Sequence, residues 1–225
     1  MLQVDKVLDL STLVDFLAEV LGKRTEIVLH DLKDVTTSIV YIKNGELTGR
    51  TLGQATTDFS LRLIESGNTK KVPYITNYMG KDLKGKLFTS STFFIKNFEE
   101  DLIGLLCINT DTSEVTTAIE LLKSMQPRCF YEQEPVVNKS KEQTQLQEVL
   151  QGNPKEIIQM TVERVMSDTT IPFSRLTAEE KLIIFERLNR EGIFLMKKSV
   201  ERLAEIFQIS IPSCYRYIRK IKKES

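Results

Sequence analysis

The chain has 225 residues, 41% hydrophobic and 28% charged, with 31 Lys/Arg balanced by 31 Asp/Glu. That is the composition of an ordinary soluble globular protein, with room for one large or two small cores. No segment approaches the ~18 apolar residues a membrane span needs, and no basic stretch followed by an apolar run opens the chain, so a cytoplasmic protein is expected.

Three widely spaced cysteines (Cys107, Cys129, Cys214), odd in number and without a CxxC pair, read as reduced thiols. The neutral average hides an asymmetry. From Arg175 onward there are 12 Lys/Arg and 7 Asp/Glu, a balance of +5 that residues 1–174 offset with −5. An acidic body with a basic end suits a polyanion-binding module whose body stays off the polyanion.

Taken in order, residues 3–21 place Val7, Leu10, Val14, Leu17 and Leu21 at helical spacing, with Gly22 to end the helix. That stripe packs either on a following sheet or against its twin in a dimer. Thr25–Leu32 and Ser38–Lys43 are short β-branched runs, the second closed by the turn signal Asn44-Gly45. Residues 56–66 predict a short helix and Val72–Tyr78 a weak strand. Leu87–Lys96 and Leu102–Asn109 predict the strongest strands, followed by a helix over Thr112–Met125. This order predicts an α+β domain on one antiparallel sheet with flanking helices, residues 1–126.

Residues 127–152 are looser in composition and read as a linker, polar over 131–145 and with helical character toward Leu146–Leu150. Asn153-Pro154 opens a helical region that runs to residue 225. Within it, Thr177 and Glu180 form a capping box for a helix over Ala178–Arg190, whose Leu182, Phe185 and Leu188 face inward. Val200, Leu203, Ala204 and Phe207 line one face of a further helix. Cys214, Ile218 and Ile221 line one face of the last, with Ser210 as its cap and Pro212 in its first turn. Two short amphipathic helices joined at Gln208-Ile209-Ser210 read as a helix-turn-helix inside an all-α three-helix domain, about 175–223. Residues 207–225 carry five Lys/Arg against Glu224, so double-stranded DNA is the expected partner. Arg216, Arg219, Lys220 and Lys222 are expected to neutralise phosphates, and Ile211, Pro212 and Ser213 to face base edges. Tyr215 or Tyr217 would reach the DNA backbone through its hydroxyl. The competing reading is an adaptor whose C-terminal helices bind a protein.

Several stretches resemble the YheO-like PAS domain: HDL at His30–Leu32, NGELTGR at Asn44–Arg50, TSSTFFI at Thr89–Ile95 and LCINTD at Leu106–Asp111. Residues Leu176–Lys222, with GIFLMKKSVERLAEIFQIS and YRYIRK, resemble the DauR-type helix-turn-helix that follows it in that family. The resemblance implies a PAS-like small-molecule-sensing domain in a bacterial transcriptional regulator, with amino-acid-related effectors suggested for some members; a homodimer is the expected state. Apart from the resemblance, the lack of a catalytic or cofactor-binding motif leads to the expectation of no catalysis and no cofactor, with an enzyme acting on a small metabolite in the PAS-like pocket as the third reading. Ile211 departs from the polar residue, often Arg, that the family resembles itself in placing after the capping Ser. An operator sequence therefore does not carry over.

Candidate effector contacts are His30, Asn44, Thr48, Arg50, Ser90, Thr92, Asn109 and Asp111. His30 is the sole histidine, which excludes any metal site needing two imidazoles; it reads as a hydrogen-bonded strand-end residue, with a ligand or signal-relay residue and a catalytic base as the alternatives. Arg50 either forks onto a ligand carboxylate or pairs with a domain carboxylate such as Asp58. Ser90 and Thr92 share one strand face, and Asn109 and Asp111 share another. No P-loop, dinucleotide fingerprint or metal-spaced Cys/His cluster is present.

Overall fold

The computed structural model of the chain describes residues 9–125, 147–150, 152–169 and 171–224. Helix α1 (Leu10–Leu21) begins at Asp9, whose carboxylate accepts from the Ser11 N–H at 3.0 Å. Leu10, Leu13, Val14 and Leu17 seat it on Ile27, Leu29, Leu106 and Ile108, on one face of a six-stranded sheet.

The strands are β1 (Thr25–Asp31), β2 (Ile39–Lys43), β3 (Tyr74–Lys81), β4 (Leu87–Lys96), β5 (Leu102–Asp111) and β6 (Gln147–Val149). They lie in the order β2-β1-β5-β4-β3-β6. Helix α2 (Asp58–Ser66), capped by the Thr57 hydroxyl, covers the opposite face with Phe59 and Leu63 against Val28, Tyr78, Phe94, Leu105 and Cys107. Covered on both sides, β1 is buried at six successive positions from Thr25 to His30, which is why it reads as a nearly unbroken buried run.

Two expectations are corrected here. The sheet is mixed, because β6 pairs parallel to the edge of β3, with Gly80 opposite Glu148, while the other pairings are antiparallel. Residues 147–149, expected to be helical, form that strand: an open sheet edge offers three backbone partners that an isolated turn of helix would lack. The stretch expected as polar linker, 131–145, lies outside the described residues.

Helix α3 (Ser113–Met125) follows β5. The C-terminal half holds α4 (Pro154–Met166), α5 (Ala178–Arg190), α6 (Ser199–Phe207) and α7 (Ile211–Glu224). The capping box of α5 forms as its sequence predicts, with Glu180 N–H donating to Thr177 and Thr177 N–H to Glu180. Phe185 is the hub of this core. Its ring lies 5.0 Å from Tyr217, 6.0 Å from Phe207 and 6.4 Å from Phe173, and Leu203, Ala204, Cys214 and Ile218 fill the remaining space.

This core does not stop at the helices. Val35, Ala55 and Leu61 from the sheet domain belong to the same apolar cluster. Around it, the Asp58 carboxylate accepts from Arg62 at 2.9 Å and from Arg164 of α4 at 2.7 Å, and Glu191 accepts from Arg164 at 2.5 Å. Gly192 closes the joint with φ +72°. A Cβ there would stand 2.5 Å from the Leu61 carbonyl oxygen. Gly192→Ala is therefore expected to destabilise the chain by about 2 kcal/mol or more, from the left-handed backbone plus a clash with main chain. Denaturant unfolding measures this, and an unchanged midpoint would mean α2 is not seated against that turn.

Candidate nucleic-acid interface and buried polar cluster

The corner between α6 and α7 is set by Gln208, the residue whose positive φ the sequence makes costly. It adopts φ +52°, and the Ile209 N–H returns to the Ala204 carbonyl at 3.0 Å. Ser210 then caps α7, accepting from the Ser213 N–H at 3.3 Å, and Pro212 sits in the first turn. Cys214, Tyr217, Ile218 and Ile221 point into the core. The other side of α7 presents Pro212, Tyr215, Arg216, Arg219 and Lys220 around an open recess of about 470 Å³, with Lys222 exposed one turn further on. Among the described residues, none of these four cations forms an ion pair with a carboxylate.

Ile211 and Tyr215 are 42% and 44% exposed at the start of this face. Ser213 is half-buried and its hydroxyl is bonded to that of Ser210 at 2.9 Å, so it serves the cap. Tyr217 is a correction. It is 7% exposed and packed on Phe185, so it is a core residue and does not reach a DNA backbone. Its spacing from Cys214 and Ile221, three before and four after, already puts it on the inward stripe.

The second site lies on the sheet face under α2. Cross-strand register lines up Glu26 of β1, Asn109 of β5, Ser90 of β4 and Tyr78 of β3 in one row, all fully or nearly fully buried. Val28, Cys107 and Thr92 form the adjacent row. A polar row across the middle of a sheet needs partners, because each buried unpaired group costs about 1–3 kcal/mol. Glu26 has three: Arg50 and Thr48 donate to it, and Asn109 Nδ2 donates at 2.9 Å. Burial works against the Arg50 charge, yet the Glu26 carboxylate raises its pKa on balance. Arg50 thus pairs with Glu26, not with Asp58.

Glu148, brought in by β6, accepts from Thr57 at 2.5 Å and from the Tyr78 hydroxyl at 2.9 Å. Tyr78 also meets Thr92 Oγ1 at 2.8 Å, which in turn donates to Cys107 Sγ at 3.4 Å. Burial, with Glu148 nearby, pushes the Cys107 thiol up to about 12, so this cysteine is an unreactive thiol. Burial likewise raises the Glu148 pKa, against the opposing pull of Arg50. Among the described residues, four buried atoms in or beside this cluster have no hydrogen-bond partner: His30 Nε2, Thr56 Oγ1, Ser90 Oγ and Asn109 Oδ1.

Of the residues predicted as effector contacts, the fold brings His30, Thr48, Arg50, Ser90, Thr92 and Asn109 to this region. It leaves two out. Asn44 sits at the β2 turn with φ +55° and donates to the Thr25 carbonyl at 2.7 Å, a fixed turn residue. Asp111 shares the Asn109 face but ends the strand, where Lys86 binds it at 2.9 Å. Burial opposes its ionisation, yet hydrogen bonds from Ser113 and Lys86 hold its pKa at about 2. Glu26, Thr57, Tyr78 and Glu148 are not foreseen. Glu26 was findable, two residues before Val28 and four before His30 on the same strand face.

His30 is 2% exposed and bonds Ser38 Oγ through Nδ1 at 2.9 Å. Burial first, and the Arg50 charge second, depress its pKa to about 3. The unfolded chain therefore binds a proton below pH 6.5 that the folded chain refuses, and stability is lost as pH falls from 6.5 toward 3. The His30 share is about 1.4 kcal/mol per pH unit in that window, with no contribution above it. Urea midpoints for the wild type and His30→Gln, taken at pH 7 and pH 5, should converge on acidification; a constant difference would contradict a buried neutral imidazole.

Among the described residues, no helix is long and apolar enough to cross a membrane, and no group of three His, Cys, Asp or Glu is placed to hold a metal ion.

A curled sheet with a polar row beneath a covering helix, followed by a helix-turn-helix, defines a PAS domain joined to an HTH domain. The YheO-like PAS domain matches residues 3–127 and an HTH domain matches residues 157–219. The chain belongs to this YheO-like family. YheO of Escherichia coli K12 is 30% identical over 209 residues, spanning 93% of this chain and 82% of that protein. A Haemophilus influenzae protein is 30% identical over 213 residues, spanning 94% and 89%. Among solved structures, the phage VqmA–DPO complex is similar at a TM-score of 0.32 and 14% identity, over 94% of this chain and 88% of that one. That likeness is too distant to carry an inference to this chain.

Proposed function

We propose that the chain is a cytoplasmic, ligand-responsive bacterial transcription regulator without catalytic activity. The PAS domain takes a small-molecule effector at the buried polar cluster, and α7 enters the major groove of duplex DNA. A homodimer would match two half-sites about one helical turn apart. The observation that carries this reading is the outward face of α7: four cations with no ion-pair partner among the described residues, held on a helix whose other side is locked into the Phe185 core. Phosphate contacts from Arg216, Arg219, Lys220 and Lys222 would position the helix, while Ile211 and Pro212 would offer apolar contact to base edges, a thymine methyl for example.

The effector would act through the joint. Thr57 holds Glu148 in the cluster, and the next residue, Asp58, holds Arg164 of α4, so occupancy on one side is one residue from the helical domain. Selection of bound fragments from genomic DNA by the full chain, with and without a metabolite extract, tests the reading. A recurring two-fold motif whose recovery changes with the extract is expected. No retention of any duplex at about 50 mM salt, where electrostatic binding is strong, would leave the adaptor reading in its place.

A further inference from the structure

Resting on the sensor reading above, one residue of the buried cluster gives the effector its chemical class. Charges in the cluster do not cancel. Arg50 is bound to Glu26 in a buried ion pair, from which its one charge also pulls on Glu148, so a single cation faces two carboxyls; Glu26 also receives Thr48 and Asn109. Glu148 remains. It is 2% exposed, and its two hydrogen-bond donors, Thr57 and Tyr78, are neutral hydroxyls. Among the described residues it has no ion pair. Ionising a carboxyl in that position is a cost to the fold, which burial expresses as a raised pKa, unless a cation arrives to balance it.

The unpartnered atoms around it have matching character. Asn109 must turn Nδ2 toward Glu26 to donate, which leaves its Oδ1 as a fully buried acceptor without a donor. Ser90 lies beside Asn109 in the same cross-strand row, and its Oγ, also unpartnered, packs against Gly80, the residue paired with Glu148. A carboxylate, an amide oxygen and a hydroxyl are the set that receives several N–H donors from one positive group.

We propose that Glu148 is the counter-ion of the effector, and that the cluster takes a small molecule bearing an ammonium or guanidinium group, held by Glu148, Asn109 Oδ1 and Ser90 Oγ. Glu148 lies in neither matched domain, falling between residues 127 and 157. The residue that recognises charge is therefore supplied by the strand leading into α4: Leu150 is buried behind it, and the Gly152 carbonyl accepts from Ala55 at 3.0 Å. A cation drawn to Glu148 would tighten β6 against β3 and fix the start of the helical domain.

Thermal unfolding of the full chain tests this with a panel of short primary amines and alkylguanidines, set beside the carboxylates and alcohols of the same skeleton. Amines or guanidines are expected to raise the Tm of the wild type. In Glu148→Gln their affinity should fall by about tenfold or more. Without any compound, Glu148→Gln should unfold no lower than the wild type, because the Gln carbonyl can still accept from Thr57, its amide N–H can donate to the Tyr78 hydroxyl, which then donates to Thr92, and the buried ionisable group is gone. Stabilisation by the carboxylates or alcohols alone, equal stabilisation of both proteins by the cations, or a ligand-free Glu148→Gln that unfolds well below the wild type would each overturn the assignment while leaving a sensor in place. If neither the panel nor a metabolite extract shifts the wild type, the sensor reading falls with it.

Discussion

Arg50→Ala is expected to destabilise the chain by about 3–5 kcal/mol, because it strands the Glu26 carboxylate in the middle of a sheet covered on both faces. Both side chains of the pair are almost completely buried, so solvent cannot take over the lost interaction. Thr48 and Asn109 would still donate to Glu26, but two neutral donors do not balance a buried charge. The companion experiment separates charge from shape: Arg50→Met combined with Glu26→Gln should recover much of the loss, since a buried ion pair replaced by neutral groups of similar size is often close to neutral in stability. Guanidinium unfolding read by circular dichroism measures both. A single mutant within 1 kcal/mol of the wild type, roughly the range of an exposed pair, would mean that Glu26 and Arg50 face water.

The second large effect is on binding. Replacing Arg216, Arg219 and Lys220 together with alanine should lower duplex affinity by roughly 10²–10³-fold near 0.1 M salt, and should reduce the slope of log K against log salt by about 3. All three are exposed and project away from the Phe185 core, so the fold should be unaffected. Exchanging Tyr217 for alanine should look different. Its ring is part of the aromatic core, so the loss would come through unfolding of the helical domain, with the salt slope of the remaining folded protein unchanged.

How far these features could be read from sequence depends on where their signal resides. The β4 limits, Leu87–Lys96, are as the alternation predicts, and the α5 cap forms because a Thr and a Glu three apart satisfy one another locally. The α6–α7 corner is similarly local: one residue at positive φ, one capping serine and one early proline define it. β6 has no such signal. Three residues beside a polar tract become a strand only because the edge of β3 is open to them, and that edge exists only after the sheet has formed. Glu148 inherits the same invisibility. Its placement is a tertiary fact, whereas Glu26 and Tyr217 could have been found by extending a period of two and a period of 3.6 by one more residue. The sequence alone leaves Arg50 open to two partners, because ion pairing depends on which strand passes nearby. Glu26 is on that strand, and Asp58 is committed to Arg62 and Arg164.

Fluorescence anisotropy of a labelled duplex against the full chain, taken across a salt series for the wild type and for the Arg216, Arg219 and Lys220 triple alanine variant, tests the α7 interface most directly. Salt-sensitive binding by the wild type, with a slope about 3 units steeper than the variant's, is the predicted result. Equal slopes for the two proteins, or no binding by the wild type in dilute salt, would contradict it.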